Sequence, residues 1–215
     1  MREIITLNQL KPFRFYIASL ILVLTFSWLS SEVLERETYN LDLEINSWVI
    51  GFRTSFWTEF MKLVSDIGLI GGIFIIGCIA ASLYLHKRFK VMFGLLSISL
   101  GSTFFTYFLK LLIARDRPLI ENRLVVESGF SFPSGHSATA FTAFLLLAIV
   151  VYFNSRIQNL LKCFLIVTLC IFPFVVAFSR LYLGVHYFTD VVAGALVGIS
   201  AACVFLYFHS KFYDE

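Results

Sequence analysis

Lys110, Arg117, His136, Arg180, His186 and Asp190 are residues whose types and spacing could do chemistry. They lie in three short stretches, KLLIARDRP at 110–118, PSGH at 133–136 and SRLYLGVHYFTD at 179–190, and each borders an apolar run. Permanent cations close to hydrocarbon are costly and mark function. Three of them meeting from three helix ends would repel one another unless an anion lay between them. The planar fork of arginine matches phosphate oxygens two at a time. Ser134 and Gly135 stand at a helix mouth, where N–H groups and the helix dipole favour an anion, and glycine permits close backbone approach. The stretch therefore reads as an oxyanion cradle with His136 at its edge.

The chain has four histidines, His86, His136, His186 and His209. His86 and His209 flank apolar runs on the opposite face and read as interfacial residues. His186 is followed four residues later by Asp190, within reach across a helical turn. A carboxylate on one ring nitrogen fixes the tautomer and leaves the other nitrogen nucleophilic. Two histidines permit a division of labour in which one attacks phosphorus and the other protonates the departing oxygen. The residues alone leave open which one attacks; only Asp190 favours His186. Taken singly, each of these side chains has an ordinary reading as a snorkelling cation, a helix cap or a loop histidine. A Ser-His-Asp hydrolase using Ser134 or Ser179 is the weaker chemistry, because no GxSxG elbow is present and three cations suit a phosphoryl group better than an acyl one. A non-catalytic protein that binds or moves anionic lipid would keep the cradle but has no use for the His186–Asp190 pair. Asp116, Glu121 and Glu127 are scattered, without the spacing of a divalent-metal site, so no metal and no cofactor is expected.

The elements that must position these groups are membrane helices. Of the 215 residues 59% are hydrophobic and only 14% charged, against roughly 25% charged in a soluble domain. Uncharged runs occur at 15–31, 67–85, 91–109, 137–155, 163–179 and 191–208, each near the ~17–25 residues that a spanning helix needs. The expectation is one all-α integral membrane domain over residues 1–215, a six-helix transmembrane bundle with no separate soluble part. The first run follows Arg2, Lys11 and Arg14 but lacks a small-x-small cleavage site, and reads as a retained helix. Between the first two runs, Ile45, Trp48, Val49, Phe52, Phe56, Phe60 and Leu63 fall at helical spacing, with Arg53, Glu59 and Lys62 between them. This predicts one amphipathic interfacial helix with Trp48 and Trp57 near the headgroups, capping the bundle or forming a lip for a lipid substrate. Alternation puts nine Lys/Arg on the face of the termini and eight on the other, three of which are site residues. Discounting those places both termini in the cytoplasm and the site outside. The net charge of +3 gives no reason to invoke nucleic acid. Cys78, Cys163, Cys170 and Cys203 have no CxxC spacing and read as buried packing residues. Gly194 and Gly198 form a GxxxG that predicts close helix packing, with a dimer face as the alternative, so monomer or homodimer stays open.

Together the three stretches resemble a known signature. K-x6-RP (Lys110, Arg117, Pro118), PSGH (Pro133–His136) and SR-x5-H-x3-D (Ser179, Arg180, His186, Asp190) are similar, in order and at every position, to the motifs of the type 2 phosphatidic acid phosphatase superfamily. That group also contains vanadium-dependent haloperoxidases and bacterial acid phosphatases. The six-run plan looks like its integral-membrane lipid phosphatase branch, and the compact length suits a bacterial member. The resemblance implies metal-independent, two-step phosphoryl transfer with His186 as nucleophile, Asp190 orienting it and His136 as general acid. Lys110, Arg117, Ser134, Gly135 and Arg180 would hold the phosphoryl oxygens. The substrate would be a lipid phosphate monoester of the phosphatidylglycerol phosphate or phosphatidic acid type, with undecaprenyl diphosphate as the alternative. Arg115 is an extra cation inside the first motif, expected on a headgroup or on Asp116.

Overall fold

A backbone in hydrocarbon has no partner but itself, and long uncharged stretches resolve this by forming helices. A computed structural model describes residues 11–153 and 157–212. Its helices are α1 (Lys11–Leu34), α2 (Tyr39–Ile50), α3 (Ser55–Asp66), α4 (Gly72–Leu85), α5 (Phe89–Ile113), α6 (Gly135–Phe153), α7 (Asn159–Tyr182) and α8 (Phe188–Phe212). No strand occurs among the described residues. Six stretches are long and apolar enough to cross a bilayer: Phe13–Leu34, Ser55–Leu85, Phe89–Ile113, Gly135–Phe153, Asn159–Tyr182 and Phe188–Lys211. The all-α, six-span reading stands, with helices that run beyond the uncharged cores from which they were expected. Arg2 and Arg156, counted above toward one face, and the last two residues of the fourth run lie outside the described residues.

One expectation is corrected. The stretch between the first two spans is not one helix but two, α2 and α3. Gly51 ends α2, and Thr54 caps α3 by accepting the Trp57 N–H at 3.3 Å. The break is fixed from a distance. The Thr54 N–H donates to Tyr182 Oη at 2.9 Å, and Arg53 Nε donates to the Tyr182 carbonyl at 2.9 Å, so the end of α7 clamps the junction. Helical spacing continues across the break, which is why local pattern does not show it. Beyond it, α3 runs through a π-helical turn (Ile67–Gly71) into α4 as one 31-residue element. That is about 46 Å of helix against a hydrocarbon layer of about 30 Å, so the second span is longer than the layer it would cross, and α3 is its first part. The two faces of this region are distinct. Trp48, Phe52, Phe56, Trp57, Phe60 and Leu63 are exposed, whereas α2 buries Asp42, Asn46 and Val49.

Within the bundle α6 is the most enclosed span, packed between α7 and α8, and α1 lies along α8. The cysteines do not serve this core: Cys78 and Cys163 are exposed and Cys170 and Cys203 half-buried, so the packing role expected of them is corrected. α6 and α8 approach each other closely. A Cβ on Gly194 would stand 2.4 Å from the Ser134 carbonyl oxygen and 2.8 Å from Ser137 Cβ; one on Gly198 would stand 2.5 Å from Phe141 Cβ. Packing inside the bundle therefore accounts for the GxxxG. It brings the mouth of α6, where PSGH ends, against the first turns of α8, which carry Asp190. Gly198→Ala should lower the thermal unfolding midpoint in detergent, at an overpacking cost of about 1–3 kcal/mol. Gly194→Ala, which pushes on the α6 mouth itself, should lower turnover more steeply than it lowers that midpoint.

Candidate active site

Each charged side chain here is delivered by a helix end or by a loop pinned to one. α5 stops at Ala114, whose backbone is left-handed (φ 48°) and whose N–H closes the last turn on the Lys110 carbonyl at 3.0 Å. The chain then runs through Arg115, Arg117 and Glu127 to Pro133. Lys110 Nζ, in the last turn of α5, donates to the carbonyls of Phe130 (2.8 Å) and Ser131 (3.0 Å). The Cε of the same lysine lies 4.0 Å from where a Gly135 Cβ would be, so Lys110 is beside the PSGH turn.

Arg117 closes the loop against the α7–α8 turn. Its Nη1 donates to the Val185 carbonyl at 2.9 Å and lies 3.2 Å from His186 Nε2; its Nε and Nη2 donate to the carbonyls of Gly129 and Ser128. Arginine has no acceptor, so Nε2 of His186 accepts, and the ring proton resides on Nδ1. That nitrogen faces the Asp190 carboxylate at 3.3 Å. The tautomer is thereby fixed with the Nε2 lone pair turned toward the cations. His186 is 1% exposed. Burial, which outweighs the pull of Asp190, lowers its pKa to about 4.

Asp190, in the first turn of α8 and fully buried, is the junction of the site. One oxygen accepts from the Tyr187 N–H at 2.8 Å, from Ser131 Oγ and from His186; the other accepts from Arg115 Nη1 at 2.7 Å. Arg115 Nη2 reaches Asp42 at 2.6 Å, and Asp42 also accepts from the Thr189 N–H and hydroxyl. Arg115 is thus not on Asp116 or a headgroup, as its neighbours in sequence suggested, but bridges two buried carboxylates. Burial opposes its charge, yet Asp190 and Asp42 together hold its pKa above the ordinary value.

Arg180, 2% exposed, pairs with Glu127 and donates to Ser65 Oγ from α3, while its Nε is buried without a hydrogen-bond partner among the described residues. Glu127 also stands 3.8 Å from Arg117. Burial works against its charge, but Arg180, His136 and Arg117 hold its carboxyl below the ordinary range. His136, in the first turn of α6, shares this neighbourhood with Arg180, Glu127, His186 and Arg117.

The structure therefore brings Lys110, Arg117, Gly135, His136, Arg180, His186 and Asp190 to one place. Ser134 joins them. It is fully buried, its N–H donates to the Asp190 carbonyl at 2.9 Å, and its hydroxyl accepts from Ser137 Oγ (3.1 Å) and N–H (3.4 Å). It caps and anchors α6 at the mouth of the cradle, with its own hydroxyl proton uncommitted among these contacts. The groups at the mouth that lack a carbonyl one turn earlier are the N–H groups of Gly135 and His136.

Sequence reasoning missed Asp42, Ser131 and Glu127. A signal existed for the first: Asp42, Asn46 and Val49 share one stripe of α2, and a carboxylate on a buried stripe needs a partner. Glu127 was read as one of several scattered loop carboxylates; the surplus of cations around PSGH was the hint that one of them must be drawn in.

Comparison with known proteins finds relatives of the same fold. Residues 91–214 match the family described as the PAP2 superfamily. The chain is 29% identical over 197 residues to phosphatidylglycerophosphatase B of Bacillus subtilis (strain 168), covering 90% of this chain and 93% of that one. It is 26% identical over 190 residues to a lipid A 4'-phosphatase of Bacteroides thetaiotaomicron, covering 80% and 78%. The crystal structure of a transmembrane PAP2 type phosphatidylglycerolphosphate phosphatase from Bacillus subtilis superposes with a TM-score of 0.76 at 26% identity, covering 95% of this chain and 96% of that one.

Since His186 is neutral when folded and takes up a proton more readily when unfolded, folding should weaken as pH falls from about 6.5 to about 4. In histidine ring NMR of the detergent-solubilised protein, a resonance absent from His186→Asn should titrate near 4.

Proposed function

We infer the function from one premise: this chain belongs to the PAP2 superfamily. It is a membrane-embedded lipid phosphatase, and as a single domain over residues 1–215 it removes the phosphate of a lipid phosphate monoester through a phosphohistidine. The observation that carries this reading is the His186 ring, with Asp190 on Nδ1 and the Nε2 lone pair turned toward Arg117.

In the first step Nε2 attacks phosphorus, the bond to the lipid oxygen breaks, and His136 gives that oxygen a proton. In the second, water deprotonated by His136 attacks phosphorus, the N–P bond breaks, and inorganic phosphate leaves with His186 neutral again. Asp190 stabilises the charge on the ring while nitrogen is bonded to phosphorus. Lys110, Arg117, Arg180 and the N–H groups at Gly135 and His136 hold the non-bridging oxygens, while Ser134 keeps the α6 mouth in place. Phosphoryl transfer is mostly positioning and charge stabilisation, and the cradle provides both from side chains, which makes the reaction metal-independent.

An apolar cleft of about 280 Å³ between α4, α5 and α6, walled by Ile76, Thr103 and Ala138, leads to Lys110, Gly135 and His136. It supports a substrate whose tail stays in the bilayer. The relative named for phosphatidylglycerophosphate supports a phosphatidylglycerol phosphate or phosphatidic acid type monoester. The cleft's small volume suits one chain, and this favours undecaprenyl diphosphate as the second reading. The site lies at the end of the bundle opposite Lys87, Arg88, Lys90 and Lys162. The positive-inside rule then places it on the outer side of the cell membrane with both termini cytoplasmic.

His186→Ala should lower phosphate release by more than about 10³-fold with its unfolding midpoint retained. Radiolabelled substrate, quenched during turnover, should leave acid-labile label on wild type and none on the variant; retained turnover would remove His186 as nucleophile. Turnover should persist in excess EDTA, and a loss that Mg²⁺ reverses would reveal a metal requirement. Initial rates on detergent-solubilised phosphatidylglycerol phosphate, phosphatidic acid and undecaprenyl diphosphate should rank the first highest.

A further inference from the structure

We propose that Asp42 and Arg115 form a positioning pair for the nucleophile, holding the Asp190 carboxylate in the rotation and charge state that His186 requires. The pair touches neither substrate nor the reacting nitrogen, and the proposal rests on the phosphohistidine reading.

Four groups from four parts of the chain stand in line: Asp42 on α2, Arg115 in the loop after α5, Asp190 on α8 and His186 in the α7–α8 turn. The contacts are Asp42 Oδ2 to Arg115 Nη2 at 2.6 Å, Arg115 Nη1 to Asp190 Oδ1 at 2.7 Å, and Asp190 Oδ2 to His186 Nδ1 at 3.3 Å. Arg115 also stacks over the Tyr187 ring at 4.2 Å and donates to Thr189 Oγ1 at 2.7 Å. Its guanidinium plane is therefore set by four contacts, which a lysine's point charge could not reproduce. By tying Oδ1, Arg115 stops the carboxylate from rotating and leaves Oδ2 for the imidazole.

A cation this close to Asp190 has a cost. Alone, it would draw charge away from His186 and disfavour the positive ring that forms during attack. Asp42 offsets this by sharing Arg115, so that two carboxylates face one guanidinium. Asp42 is itself fixed at the α8 mouth by the Thr189 N–H at 2.9 Å and hydroxyl at 2.7 Å, which ties the height of α2 to the catalytic turn. The remaining charged or titratable groups around the ring are Arg117 from the loop, Arg180 from α7 and His136 from α6, with Lys110 from α5 near Asp190. None contacts Asp42.

The test is steady-state kinetics on phosphatidylglycerol phosphate, with His186 ring titration, for Asp42→Asn, Arg115→Gln, Arg115→Lys and the Asp42→Asn/Arg115→Gln double variant. The isosteric Asp42→Asn should lower kcat about 10–100-fold, the range for outer-shell carboxylates, with KM within about twofold. Its His186 midpoint should move below the wild-type value, because Arg115 then acts on Asp190 unshared. Arg115→Gln should move that midpoint above the wild-type value. Arg115→Lys should keep the midpoint and still lose kcat. The double variant returns the midpoint toward wild type without restoring kcat, and avoids leaving two buried carboxylates uncompensated should Arg115→Gln fail to fold. Wild-type kcat in Asp42→Asn would overturn the proposal. So would parallel losses of kcat, KM and unfolding midpoint with no opposed shifts of the ring titration, since that is what a purely structural pair would give. If instead His186→Ala retains turnover, the phosphohistidine reading fails, whatever these variants show.

Discussion

A carboxylate without water around it must be surrounded by donors or lose its charge, and Asp190 meets this condition with four groups from two segments, the α5–α6 loop and the α7–α8 turn. The Tyr187 N–H, the Ser131 hydroxyl, the His186 ring and the Arg115 guanidinium converge on its two oxygens. Removing one partner from such a set leaves a buried charge uncompensated, a loss of about 3–5 kcal/mol. The requirement therefore acts on segments far apart in the chain. The 115–131 loop cannot leave α8, and the α7–α8 turn cannot unwind, without stranding this charge. What holds this end of the bundle together is the same constellation that would hold a phosphoryl group.

The spans serve that junction by rigidity rather than by chemistry. Gly194 lets the α8 backbone come so near the Ser134 carbonyl that no side chain fits between, and Ser134 in turn gives its N–H to the Asp190 carbonyl. The mouths of α6 and α8 are thus referenced to each other by backbone contacts, which move less than side chains do. On the other flank Tyr182 fixes the α2–α3 junction through Arg53 and Thr54, so that α3 presents Ser65 to Arg180.

Much of this was legible in the sequence, for a physical reason. In a chain this apolar, a charged or helix-breaking residue stands out, and Lys110, Arg117, His136, Arg180, His186 and Asp190 all stand out at run ends. The six spans were legible on the same ground. The parts that were not legible depend on partners far away in the chain. Arg115 has Asp116 beside it, but its contacts are with Asp42 and Asp190, about 75 residues distant on either side. Ser131 is an unremarkable loop serine until Asp190 stands over it. The break between α2 and α3 is imposed by Tyr182, while the local spacing continues as if nothing happened. Ser134 shows a second part that local sequence does not reveal: the tight approach of α8 ties its N–H to the Asp190 carbonyl.

Glu127 gives the empty cradle a further property. Its carboxylate already answers Arg180 and stands near Arg117, so an arriving phosphate must exchange with a resident anion rather than fill a bare positive hole. The Coulomb gain on binding is accordingly a difference between two anions. The same side chain, tethered by its loop, would compete with any tetrahedral anion at an effective concentration in the millimolar range. A cradle suited to a tetrahedral anion is thereby already part-answered by a tethered one, so that arrival and departure there are both exchanges.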